Sequence, residues 1–306
     1  MGSLAVHRIA TAALVLLGVS SITFFLLHLV PGDPVEVMLG ESASIADRET
    51  LRTDLGLDEP LAVQWLTFHR KLASLDLGVS LYSKKPIVAV LAERIPWTVL
   101  LALTSLVTAI AIALPLGIIA ALNPNTLWDS VAATVSLLGV SIPNFLLGPL
   151  LIIVFSIGLG WFPVSGTGSP TAIVLPALTL GASLAAILAR MIRASLLEVL
   201  SEEFIVSARA RGLSPATVIA RHAVPNAALP VLTIIGLQLG ALLGGAVITE
   251  TIFAWPGIGQ LTIEAIQRRD YPLVQACVLV ISAAYVLVNT LTDIVYARVD
   301  PRISLD

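Results

Sequence analysis

The side chains able to do chemistry in this sequence are few and far apart. Histidine occurs at His7, His28, His69 and His222, without the short repeated spacings by which imidazoles converge on one metal ion. No H-E-x-x-H run and no G-x-S-x-G elbow sets a base or nucleophile on a defined turn. His28 is the only histidine inside an apolar run, so a hydrolase working within a membrane would lack a base on a facing helix. The single cysteine, Cys277, cannot form a disulfide within the chain. No G-x-x-x-x-G-K-[ST] loop is present to cradle phosphates. The expectation is a chain that is not an enzyme and holds no metal or cofactor of its own.

What the chain does carry is isolated polar groups in apolar surroundings. Ser282, Tyr285, Asn289 and Asp293 recur at spacings of three, four and four, which is one face of a helix. Gln238 and Glu250 stand in another apolar run, and Asn144 follows Pro143, whose missing N–H opens a helix and leaves backbone groups seeking partners. A charge at mid-membrane costs roughly 2.5–3.5 kcal/mol on insertion scales, so such groups face protein or a wet cavity. Asn144, Gln238, Glu250, Asn289 and Asp293 are therefore candidates for lining a solute path. A structural role competes, and Asp293 lies close enough to the chain end to reach interfacial water or Arg298. Gly236, Gly240 and Gly244 stand four residues apart, the pattern of a tight helix seam in lipid, made within the chain or with another chain.

The elements that position these groups are membrane helices. Of 306 residues, 57% are hydrophobic and 12% charged, with a mean hydropathy of +0.96, against about 25% charged in a soluble domain. Six stretches are long and apolar enough to cross a bilayer: Ile9 to Val30, Trp97 to Leu122, Val131 to Ile157, Ile173 to Ile192, Ala227 to Phe253 and Val274 to Val295. The prediction is an all-α integral membrane protein with six transmembrane helices. The first stretch is followed by Pro31-Gly32-Asp33-Pro34 rather than a small-residue cleavage site, so it is read as retained. Arg190, Arg193, Arg209, Arg211 and Arg221 cluster between the fourth and fifth stretches, with Arg8 before the first and Arg298 and Arg302 after the last. By the positive-inside rule both termini are cytoplasmic. The net charge of −3 offers no argument for a nucleic-acid partner.

Two segments lie outside these spans. In the large external loop, residues 31–96, Leu61, Trp65, Phe68 and Leu72 form one apolar helix face, suited to packing on the membrane helices or to docking an external partner. In the cytoplasmic loop, residues 194–226, Ser201 is a candidate N-cap and Glu202 and Glu203 stand in a first turn. Arg209 and Arg211 stand in the last turn, and Gly212 is the left-handed stop. Ser214 and Pro215 restart a second helix, and Pro225 ends it. Phe204, Ile205 and Ala208 on the first helix, with Val218 and Ile219 on the second, need a surface to cover them. The membrane domain or a soluble partner would serve.

At these residues the sequence resembles a family. The run from Glu203 to Leu213 (Glu-Phe-Ile-Val-Ser-Ala-Arg-Ala-Arg-Gly-Leu), with Arg221-His222-Ala223-Val224-Pro225-Asn226-Ala227 after it, resembles the EAA loop of binding-protein-dependent ABC importer permeases. It looks most like the B-type permease of the peptide, nickel and glutathione branch. Val206-Ser207-Ala208 takes the place of the Glu-Ala-Ala triplet, without its acid, as is usual in that branch. Leu29-Val30-Pro31-Gly32-Asp33-Pro34, Asp76-Leu77-Gly78-Val79-Ser80, Trp255-Pro256-Gly257-Ile258-Gly259 and Arg269 to Ala276 also look like that branch, in the same order.

The resemblance implies a type I ABC importer permease fold in one transmembrane domain, residues 1–306, carrying di- or oligopeptides inward; nickel or glutathione cargo is not separable by sequence. It implies a second permease subunit, two cytoplasmic ABC ATPase subunits or domains holding ATP and Mg, and an extracytoplasmic substrate-binding protein, in a bacterial or archaeal cytoplasmic membrane. It assigns ATPase coupling to Glu203, Phe204, Ile205, Ala208, Arg209, Arg211, Gly212, Arg221, His222 and Pro225. A secondary transporter or an intramembrane hydrolase remains the alternative of another class; the first would show two repeat-related halves, which the sequence does not.

Overall fold

A computed structural model describes residues 2–29, 35, 44–54 and 56–299. Residues 30–34 of the first family-like run and Arg302 lie outside the described residues, as do the side chains of His7, Arg8, His28, Asp293 and Arg298. The described helices are α1 (Gly2–Leu29), α2 (Ile45–Asp54), α3 (Leu61–Ala73), α4 (Ile87–Leu122), α5 (Leu127–Ser141) and α6 (Asn144–Leu151), the last continuing as a π-helical stretch, Ile152–Gly158. A short 3-10 turn, Pro170–Ile173, leads into α7 (Val174–Leu200). There follow α8 (Glu203–Ala210), the single turn α9 (Pro215–Thr217) with a π-helical stretch, Val218–Ala223, then α10 (Val224–Ile252), α11 (Ile258–Gln267) and α12 (Tyr271–Val299).

The fold is that of an all-α membrane protein. By length and apolarity, the four segments 87–122, 170–200, 215–240 and 271–292 each suffice to cross a membrane. The third expected span is not one straight helix: α5 and the helix after it meet at a bend of 108°. Pro143 explains the break, because its ring disfavours helical backbone in the residue before it, and Ile142 is extended at φ −85°, ψ 114°. The first expected span falls on the shorter apolar run Ala10–Phe25 within α1. The six expected stretches thus map onto four long helices, one bent pair and one shorter apolar run.

The chain divides into two compact units, one of Met1–Pro96 with Gly257–Val286, the other of Trp97–Pro256 with Leu287–Asp306. In the first unit, the apolar face of α3 packs on α1. Trp65 Nε1 donates to Ser21 Oγ at 3.0 Å, Ser20 Oγ and His69 Nε2 are hydrogen-bonded at 2.9 Å, and the Phe24 and Phe68 rings lie 5.6 Å apart. Trp65, Phe68 and Leu72 are partly covered, while Leu61 is exposed. Of the two uses open to this face, packing is the one seen.

Two family-like runs far apart in sequence meet in the same unit. Gly78 takes φ +75°, and its carbonyl accepts from Ile87 N at 3.0 Å, which brings Ser80 to Asp270. Ser80 Oγ donates to Asp270 Oδ2 at 2.5 Å, Tyr82 N donates to the same oxygen at 3.2 Å, and Leu273 N reaches Oδ1 at 3.4 Å at the start of α12. Asp270 is 1% exposed, so removing its carboxylate strands buried donors. Replacing Asp270 by alanine is expected to destabilise this unit by about 2–4 kcal/mol, summing roughly one unmade bond per donor. Thermal unfolding of the purified complex checks this; an unchanged midpoint would show the three bonds to be dispensable.

In the second unit α7 is the central helix: 67% of its apolar window is buried, against 22% for α4 and for the 215–240 segment. Small residues allow this approach. A Cβ on Gly181 would stand 2.7 Å from Ser105 O, one on Gly117 2.7 Å from Ile192 Cβ, and one on Gly139 2.9 Å from Ala186 Cβ. Backbone approach of this kind drives helix association in lipid. One charged pair crosses the unit: Arg193 Nε donates to Asp129 Oδ1 at 2.6 Å and Nη2 to Oδ2 at 2.7 Å. A two-pronged bond of this geometry fixes α5 against α7.

Candidate coupling site

The loop expected to carry coupling is a helical hairpin, and its local chemistry shapes it. Helix α7 runs on to Leu200, farther than expected, and Ser201 is its C-cap, donating Oγ to Glu198 O at 2.7 Å. Ser201 is therefore not the N-cap of the next helix. Glu202 holds that position, with Glu203 the first helical residue, Arg209 in the last turn and Arg211 at the C-cap, so both ends still complement the helix dipole. The chain then reverses at Gly212, φ +78°.

The second arm starts as expected, with Ser214 as N-cap accepting from Thr217 N at 3.3 Å and Pro215 at the first position. It does not end at Pro225. The π-helical stretch Val218–Ala223 passes directly into α10, where Pro225 sits in the first turn. Proline stands where the π-helical stretch gives way to α-helix, with Val224 N bonded to Ile219 O, so its missing N–H falls at a break in the ordinary four-residue ladder. The outer arm and a long apolar helix are thus continuous. His222 is half-buried, and its carbonyl accepts from Asn226 Nδ2 at 2.6 Å.

The hairpin has two faces. Ile205 and Ala208 from α8 are fully buried, as are Val218 and Ala223, in one core with Leu188, Ile192 and Leu196 of α7 and Leu101 and Ala113 of α4. The membrane domain itself therefore covers this side. The other side leaves apolar groups in the open: Phe204 is 41% exposed, Val206 60% and Leu213 37%. Glu203, Arg209, Arg211, Arg221 and Pro225 are exposed around them. An apolar patch rimmed by charges is the surface form of a protein interface. The buried face packs in the core that also holds residues of α7 and α4, and the backbone runs on into α10.

Gly212 is constrained by conformation, not space, since a Cβ there would meet nothing within 4 Å. The left-handed backbone costs a residue with a side chain about 1–2 kcal/mol, and a β-branched one more. Gly212→Val is expected to distort the turn and lower ATP-driven uptake at least about tenfold, whereas Gly212→Asn, which tolerates this conformation, keeps most of it. Uptake by the reconstituted complex reads the difference; equal rates for the two variants would remove the turn from the account.

The other sequence candidates lie apart from the hairpin. Gly236 and Gly240 are buried, while Gly244 is exposed and faces open space. Asn144 opens α6 just after the bend and is half-buried, as are Gln238 and Asn289; Asp293 lies on α12. Glu250 is completely buried, with Thr98 Oγ1 donating to its Oε1 at 2.7 Å. Beside it, Trp255 Nε1 donates to Trp97 O at 2.9 Å, and the two indoles meet edge to face. Glu250 is thus part of a clamp between α4 and the end of α10. The sequence does not single out Thr98, Trp97 or the Asp129–Arg193 pair as sites: Asp129 and Arg193 stand just outside apolar runs, 64 positions apart, and no local signal connects them.

The described helices form a polytopic membrane protein that carries a core-anchored hairpin with an exposed apolar patch. Known proteins place it in a family. Residues 113–305 match the family described as binding-protein-dependent transport system inner membrane component, and residues 1–102 match the corresponding N-terminal component. The chain is 42% identical over 285 residues to the glutathione transport system permease protein GsiC of Escherichia coli O6:H1, and 41% identical to that of strain K12, in each case over 93% of both chains. In fold it is similar to the inward-facing MetNI methionine ABC transporter (TM-score 0.59, 17% identity, covering 70% of this chain and 98% of that one). It is likewise similar to an amino acid ABC transporter (TM-score 0.55, 15% identity, 69% and 94%). This chain belongs to the inner-membrane permease components of binding-protein-dependent ABC importers. Its family places it in the inner membrane as a multi-pass subunit working with ATPase and substrate-binding partners.

Proposed function

We propose that this permease carries peptide-class solutes into the cell, and that residues 201–226 transmit the closure of a partner ATPase to the spans. The observation that carries the reading is the two-sided hairpin. Ile205, Ala208, Val218 and Ala223 are locked into the core, and Phe204, Val206 and Leu213 are left exposed beside Glu203, Arg209 and Arg211. A groove on the ATPase that takes the exposed side moves the buried side with it. ATP and Mg belong to that ATPase, since the chain has no loop to hold phosphates.

In this reading the whole chain acts as one permease domain with both termini cytoplasmic, and a second permease completes the pathway. The outward-facing Gly244, below Gly236 and Gly240, suits a close helix approach from that neighbour. Cargo is of the peptide class; glutathione, named for the relatives, is itself a tripeptide and falls inside it. Asn144, Gln238, Asn289 and Asp293 remain the residues proposed to face the path, whereas Glu250, completely buried against Thr98, takes the structural role.

The test is disulfide or bifunctional crosslinking from Val206→Cys to the ATPase in the assembled complex. The native Cys277 is buried and leaves little background. A crosslink to the ATPase that changes in yield with nucleotide is expected. Efficient labelling of the same cysteine by a bulky soluble reagent in every nucleotide state, with no crosslink, would contradict the seat proposed for the hairpin.

A further inference from the structure

We infer that the cavity between α4, α5 and α7 binds the headgroup phosphate of an anionic phospholipid. The cavity has a volume of about 450 Å³, with Asn125, Asp129, Arg190 and Arg193 on its polar side and Leu116 and Ala120 on its apolar side. It is separate from the coupling hairpin, and the inference does not depend on the coupling reading.

The charges in this cavity do not cancel. Both oxygens of Asp129 are engaged, Oδ1 by Arg193 Nε at 2.6 Å and Oδ2 by Arg193 Nη2 at 2.7 Å and Asn125 N at 2.9 Å. That carboxylate is neutralised by Arg193 and fixed. The polar side chains of the preceding loop and of the first turn of α5 turn back on their own backbone: Asn123 Nδ2 to Ile119 O at 2.9 Å, Thr126 Oγ1 to Asn123 O at 2.6 Å and Ser130 Oγ to Thr126 O at 3.1 Å. Arg190, one turn from Arg193 and exposed, is left as the excess positive charge, and among the described residues no hydrogen bond or ion pair is assigned to its side chain.

Depth and polarity select a lipid over a soluble anion. Twenty residues at 1.5 Å rise cover the ~30 Å hydrocarbon core, and counted from Val174 they reach Arg193. Arg190 and Arg193 thus lie at the edge of the hydrocarbon, where headgroups begin. Helix α5 starts at the same edge with Leu127 78% and Trp128 64% exposed, and an exposed indole is the usual anchor at that level. A free phosphate has no use for Leu116 and Ala120; an amphiphile uses both walls. Basic pockets between membrane helices on the cytoplasmic side take such headgroups.

The experiment places the complete purified complex in lipid nanodiscs containing brominated phosphatidylglycerol or, at equal fraction, brominated phosphatidylcholine. Subtracting the Trp128→Phe complex isolates the quenching of Trp128. The expected result is about fivefold stronger apparent binding of the anionic lipid, the factor for one basic residue near an anionic headgroup. Arg190→Gln should bring that ratio to about one, and Arg190→Lys, which keeps the charge, should retain most of it. Millimolar inorganic phosphate should leave the quenching unchanged; displacement by phosphate would assign the cavity to a soluble anion and overturn the proposal. Equal quenching by the two lipids would also overturn it, as would quenching by neither, which would mean that a protein subunit covers the cavity.

Discussion

Replacing Phe204 by aspartate should nearly abolish ATP-driven uptake while leaving the permease folded. The ring is 41% exposed on the outer face of α8, so its loss removes little from the protein's own core. If it fills a pocket on the ATPase, it is an aromatic anchor, and removal of such an anchor costs about 2–4 kcal/mol of association, roughly thirty- to several-hundred-fold in affinity. A carboxylate in its place adds the penalty of a charge taken out of water. The measurements are retention of the ATPase on the affinity-purified permease, uptake into proteoliposomes, and thermal unfolding. The account expects the first two to fall together and the third to stay within a few degrees. Wild-type uptake by the variant would remove Phe204 from the interface.

The neighbouring position should behave in the opposite way. Ile205 is 0% exposed and packs in the core shared by α4 and α7, so Ile205→Ala should destabilise the protein by about 2–5 kcal/mol through lost burial and the cavity left behind. A loss of that size is comparable to much of the net stability of a folded domain. Expression level and unfolding midpoint read it directly. Two adjacent residues are therefore expected to separate: Phe204 acts on association without stability, Ile205 on stability first. Ile205→Val, which removes one methyl group, should cost only about 0.5–1.5 kcal/mol and restore both readouts. If Ile205→Ala left the midpoint unchanged, the hairpin would not be anchored to the spans as described.

Much of this architecture is legible in the sequence because it is written in local chemistry. Long apolar runs give helices wherever the bilayer demands them, and Gly212, Ser214 and Pro215 mark the turn and restart of the hairpin at the residues where the structure has them. The misreadings are also local, and each has a cause. Ser201 is a good N-cap by type, yet Leu197, Val199 and Leu200 pack on the core and carry α7 forward until Ser201 becomes its end. Pro225 looks like a terminator, but it falls where the π-helical stretch gives way to α-helix, so the outer arm flows into α10.

Pairings between distant residues are different in kind. Asp129 and Arg193 are 64 positions apart, and Ser80 and Asp270 are 190 apart; no spacing rule connects them, and only the fold brings them together. The small-residue seams follow the same logic. Gly236, Gly240 and Gly244 attract attention by their regular spacing, yet Gly244 faces open space, while close helix approaches are made at the solitary Gly117, Gly139 and Gly181. The partner helix, not the glycine's own neighbours, decides where a side chain cannot fit.

The central proposition is that this chain supplies the pathway and a neighbour supplies the energy through the hairpin. The direct measurement is accumulation of a labelled peptide in proteoliposomes that contain the permeases and binding protein, with and without the ATPase subunits, after all ion gradients have been collapsed. Accumulation against a gradient is expected only when the ATPase and ATP are both present, and it should vanish in the Phe204→Asp complex. Uphill accumulation by the permeases without the ATPase, driven by an imposed ion gradient, would contradict the account.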